Sequence, residues 1–108
     1  MTNKPHPDNV QIGFNLMFLR LLRGKTTGET AKEFRIDEHT YLLIELGFDE
    51  PYFPTTVKLQ KGLGYLGFDP HLVFRVKLYG DDFFVTDLYD ERKNVVKELK
   101  EKYGEELY

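Results

Sequence analysis

The sequence predicts a mainly α fold: four to five short helices, then a β-hairpin and a C-terminal helix. Three observations predict it. Leucines recur at three- and four-residue spacing through the first two thirds of the chain. Capping residues precede those runs and glycines follow them. After residue 70 the pattern changes to alternation, with Asp and Gly between two apolar runs.

Residues 1–9 read as a flexible lead, since Pro5 and Pro7 oppose helix and Asp8 or Asn9 suits a cap. The first helix is expected over 10–23, where Ile12, Leu16, Leu19 and Leu22 share a face, and Gly24 ends it. A second helix over 27–34 starts from Thr26 and Glu29, which have capping-box spacing, and turns Ala31 and Phe34 inward. Arg35 and Ile36 form a tight break. Asp37 caps a third helix over 38–46, which Gly47 stops. Pro54 suits the first turn of a fourth helix to about residue 66, carrying Leu59, Leu63 and Leu66.

In the tail, Phe74, Val76 and Leu78 alternate with charged or polar neighbours, Gly80, Asp81 and Asp82 offer turn chemistry, and 83–88 is rich in β-formers. A β-hairpin over 72–88 is the simpler reading; a fifth helix over 70–76 is the rival. Residues 90–103 form the last helix, with Val95, Val96, Leu99 and Tyr103 as one stripe. The expected organisation is a lead over 1–9, a helical domain over 10–70 and a hairpin-plus-helix appendage over 71–108. The appendage stripe needs a partner, either its own domain or a second copy in a twofold dimer; the dimer is preferred.

The composition excludes several functions. The chain has 108 residues, nine Phe, seven Tyr, no Trp and no Cys. Disulfides, Cys-based metal sites and thiol catalysis are ruled out, and the absence of Cys suits a reducing, cytoplasmic setting. No apolar run approaches membrane-spanning length, and the N-terminal stretch is not a signal peptide. There is no Ser to act as a nucleophile. His6, His39 and His71 lack metal-ligand spacing. Asp81, Asp82, Asp87, Asp90 and Glu91 suit a turn and a helix start better than an ion site, and 62–64 is no phosphate loop. No enzyme activity, metal or cofactor is expected. The net charge is −3, so DNA binding would depend on local placement of Lys and Arg.

From residue 12 to 51 the chain resembles, without a gap, the XRE-type helix-turn-helix family, the class of Cro and the lambda repressor. The resemblance rests on Ile12-Gly13, Leu19-Arg20, Thr26, Ala31, Phe34, Ile36-Asp37, Thr40, Ile44-Glu45, Gly47 and Pro51. Leu66-Gly67-Phe68-Asp69 looks like the family's closing step. The resemblance implies a lambda-repressor-like domain with Ile36 plugging the turn, and an Arg20–Glu45 ion pair between the first and third helices. It implies a small, dimeric transcriptional regulator acting on an operator-like site in double-stranded DNA. Thr27, Glu38, His39, Thr40 and Leu43 would then face the bases, with Arg23, Lys25, Lys32 or Arg35 on phosphates.

The residues at those positions conflict with that role. No Arg, Lys, Asn or Gln lies between Ile36 and Leu46, and Asp37 and Glu38 bring negative charge toward phosphate. The alternative is a helix-turn-helix scaffold reused to bind protein, as an antirepressor, inhibitor or adaptor. Tyr41, Leu42, Leu43, Phe48 and Tyr52 would form its apolar contact patch.

Overall fold

The computed structural model of the chain describes residues 7–48, 53–75, 77–79 and 83–104. Helix α1 spans Pro7–Leu22, α2 Thr27–Phe34, α3 Glu38–Leu46, α4 Phe53–Tyr65, α5 Pro70–Arg75 and α6 Phe83–Tyr103. The middle of the chain follows its local signals. Thr26 and Glu29 form the reciprocal capping box of α2, and the Asp37 side chain accepts from the Thr40 backbone N–H to cap α3. Gly24 and Gly47, at φ 65° and 82°, take the left-handed conformation that closes α1 and α3. Arg35 takes the same conformation at φ 57° in the turn between α2 and α3.

α1 starts earlier than the two prolines suggest. Pro7 occupies its first position, where a missing N–H costs nothing and the fixed φ is already helical. Residues 7–9 therefore belong to the helix and not to a lead; the rest of the expected lead lies outside the described residues.

The β-hairpin is not formed. No strand occurs among the described residues: α5 takes up 70–75, as in the rival reading, and 83–88 is the beginning of α6. The expected turn at 80–82 and Val76 lie outside the described residues. Packing explains the difference. An isolated two-stranded hairpin is marginal in water. As a helix, the segment places Leu88 on the same face as Val95 and Leu99, and all three are buried in one cluster. The side chain buried in α5 is Val73, which the alternation had assigned to the opposite face from Phe74 and Leu78.

α1 and α3 lie in the middle, with a cluster of apolar side chains on either side. The first cluster joins Leu16, Leu19, Ala31, Phe34, Ile36, Tyr41, Ile44, Leu59, Leu63 and Val73. The second joins Phe14, Met17, Leu42 and Leu46 to Leu88, Val95 and Leu99 of α6. The stripe expected to seek a partner is thus largely used within the chain, and among the described residues α6 supplies three of the seven buried side chains of the second cluster.

Two further residues set this arrangement. Gly13 lies where α1 meets α3: a Cβ there would stand 2.2 Å from the Glu45 carbonyl oxygen. Asn15, fully buried, holds the tail by two bonds. Its Nδ2 donates to the Val73 carbonyl at 2.8 Å, and its Oδ1 accepts from the Leu78 N–H at 2.9 Å. One orphan carbonyl at the end of α5 is satisfied in this way.

Gly13→Ala should therefore destabilise the fold by about 2–3 kcal/mol, since backbone must move to admit the methyl group. Gly64→Ala should do the reverse. Its Cβ would meet nothing within 4 Å, and a helical Gly costs about 0.5–1 kcal/mol relative to Ala. Urea denaturation of the two variants against the wild type measures both signs.

Candidate functional site

The candidate face is the start of α2 together with the start of α3, where the base-facing positions were expected. In this structure α6 lies across it. The Thr27 hydroxyl, on a buried residue, donates to Glu98 Oε1 at 2.6 Å. Glu38 Oε1 accepts from Lys102 Nζ at 3.0 Å and from the Tyr103 hydroxyl at 3.2 Å. The His39 ring sits 4.6 Å from that of Tyr103, centroid to centroid. Thr40 is turned to the α3 cap: its backbone N–H donates to Asp37 Oδ2 at 3.2 Å. Leu43 is half-buried against the second cluster. The five positions are brought together, but on a face their own chain occupies.

The apolar patch of the alternative reading is not exposed either. Tyr41 and Leu42 have no exposed surface, Leu43 and Phe48 pack on the second cluster, and Tyr52 lies outside the described residues. An apolar α3 here is a core helix with two inward faces. The sequence contained that signal: the run from Tyr41 to Leu46 is apolar all round except at Glu45, which marks burial on more than one side.

The cations expected on phosphates divide into two groups. Arg23 is paired with Glu33. Lys25 lines the groove between α2 and α6, where Glu91 and Glu98 also lie. Lys32 and Arg35 are exposed, on the last turn of α2 and just beyond it.

The Arg20–Glu45 pair forms, and it is a buried feature. Arg20 Nε donates to Glu45 Oε2 at 2.8 Å and its Nη2 to Glu45 Oε1 at 2.9 Å, with 3% and 0% of the side chains exposed. Nη2 also reaches Glu91 Oε2 of α6 at 2.6 Å, and Nη1 donates to the Lys25 carbonyl at 3.1 Å. One guanidinium thus ties α1 to α3, to α6 and to the loop before α2. Glu91 was not expected in this role; it was read as part of an acidic helix start.

Burial by itself lowers the Arg20 guanidinium, but the hydrogen bonds and charge of Glu45 outweigh it, so Arg20 is raised and stays charged. Burial also raises the Glu45 carboxyl above its ordinary 4.5, opposed by Arg20. Tyr41 is raised well above an ordinary phenol, by burial first and then by the Glu45 charge. Its hydroxyl is sealed and has no hydrogen-bond partner among the described residues.

No group of three His, Asp or Glu placed to hold a metal ion occurs among the described residues. Among those residues, no helix is long and apolar enough to cross a membrane.

No family model matches the chain, and the comparisons with curated proteins and with solved structures found no match.

Arg20→Ala should cost about 3–5 kcal/mol, because it leaves the Glu45 charge buried without its bidentate partner. The pH dependence has a definite sign. Folded Glu45 takes up its proton at a higher pH than in the unfolded chain, so the folded state binds more protons just above pH 4.5. The contribution of this group therefore declines as pH rises through that window. Thermal melts between pH 4 and 7 should show this decline in the wild type relative to Glu45→Gln.

Proposed function

We propose that this chain is a helix-turn-helix scaffold of the XRE type reused as a protein-binding module, acting as an antirepressor, inhibitor or adaptor. It does not read DNA through α3. The observation behind this reading is the seat of α6. It engages Thr27, Glu38 and His39 at its outer edge and buries Leu42 beneath Val95 and Leu99. A recognition helix must present side chains to a major groove. This one presents a surface already filled by Glu98, Lys102 and Tyr103 of α6.

Magnitudes weigh against α6 as a removable cover. Lifting it would return Leu88, Val95 and Leu99 to water and uncover Phe14, Met17, Leu42 and Leu46. At about 1.5–3 kcal/mol per large side chain, the cost is on the order of 10 kcal/mol. That is comparable to the whole stability of a small domain, about 5–15 kcal/mol. Opening of this size is unfolding rather than switching.

The second reading is a dimeric, sequence-specific regulator bound to operator DNA. The ordered motif from Ile12 to Pro51 favours it, as do the exposed Lys32 and Arg35. It requires α6 to leave α3.

Titration of the full chain with its own upstream DNA at 50 mM salt separates the readings. The expected result is no sequence-dependent binding, and none gained in Leu99→Asp, which should lose its fold instead. A specific complex that weakens with salt and with Thr40→Ala, a variant that keeps the fold, would overturn the proposal.

A further inference from the structure

The groove between α2 and α4 has no role in the fold as described. It is an open cleft of about 610 Å³ along the last turn of α2 and the outer side of α4. Its existence depends on Gly62. A Cβ there would stand 2.1 Å from Phe34 Cδ1, so the glycine lets α4 close onto α2 with the Phe34 ring between them. Phe34 and Val57 give the cleft an apolar floor, and Tyr65, 87% exposed, stands at its end. Arg35, Lys58 and Lys61 line it from both helices.

The charge here is one-sided. α4 from Phe53 to Tyr65 contains no acidic residue. Glu33 is the single acid in the lining, and it is paired outward with Arg23. Among the described residues Arg35, Lys58 and Lys61 make no ion pair, in a chain whose net charge is −3. Elsewhere Arg20, Arg23, Lys97 and Lys102 have carboxylate partners.

We infer that this groove docks an acidic segment of a partner protein, with an apolar or aromatic side chain on Phe34 and Val57 flanked by carboxylates facing Arg35, Lys58 and Lys61. The inference rests on the protein-binding reading above and names its surface and partner chemistry. An aromatic beside cations over an apolar floor suits a peptide with both features. A phosphate backbone would use the cations and leave the floor empty.

The probe is a capped peptide, Asp-Glu-Leu-Phe-Glu-Asp, titrated into the isotope-labelled full chain and followed by NMR. The expected result is a saturable set of shifts confined to Phe34, Val57, Lys61 and Tyr65. Affinity should fall at least tenfold in Lys58→Glu plus Lys61→Glu, with the circular dichroism spectrum retained. Arg35→Gly provides a control on stability. It removes a groove cation and also relieves a left-handed non-glycine residue, so the peptide should bind more weakly while the melting temperature rises. No groove shifts at 2 mM peptide would overturn the inference. Equal shifts from a charge-matched peptide with Ala in place of Leu and Phe, or from a short oligo-dT, would also overturn it, by showing an anion site without peptide selectivity. None of these outcomes requires DNA binding by α3, so the groove can fail while the reading above stands.

Discussion

The structure turns on the Arg20 guanidinium. It sits where three helices and a loop converge, and its donors go to Glu45 of α3, Glu91 of α6 and the Lys25 carbonyl. A misplaced Arg20 would be costly, because the fully buried Glu45 charge could not then be hydrated. The site therefore fixes the placement of α3 against α1 and of α6 against both. Everything at the candidate face follows from that placement. Once Glu91 is held, the stripe Leu88, Val95 and Leu99 lies along Met17, Leu42 and Leu46, and the outer edge of α6 meets Thr27 and Glu38.

Much of the first half was legible because its signals are local. The limits of α2 and α3 follow from Thr26, Glu29, Asp37 and Gly47, each acting within one turn of its helix. The Arg20–Glu45 pair came from the resemblance alone; spacing could not have supplied a bond across 25 residues. The tail was misread because local alternation competed with a longer period. Phe74, Val76 and Leu78 suggest a strand over a few residues, whereas Leu88, Val95 and Leu99 reveal their shared face only over three turns. No local pattern marks the roles of Gly13 and Asn15. Their importance lies in what approaches them, the Glu45 carbonyl and the α5 end, and neither is visible along the chain.

The candidate site shows the same division. The expected positions Thr27, Glu38, His39, Thr40 and Leu43 do cluster, because a capped helix, a tight turn and a second capped helix bring them together whatever covers them. Which surface they present was not decided locally. It depended on where the apolar residues of α6 found burial, and they found it against α1 and the second face of α3. A helix with Tyr41, Leu42, Ile44 and Leu46 cannot satisfy all four side chains from one direction.

The second apolar cluster also bears on the order in which the chain is made. Domains tend to fold from the N-terminus as synthesis proceeds. α1, α2 and α3 emerge first and can close the first cluster with α4 and α5. Leu42 and Leu46 must then wait, uncovered, for a helix that starts at Phe83. During that interval a nascent chain carries the greasy side of α3 in the open, where chaperones bind and neighbouring chains stick. Asp37 and Glu38 at the start of α3 put like charge at one end of that surface on every copy, which opposes self-association until α6 arrives.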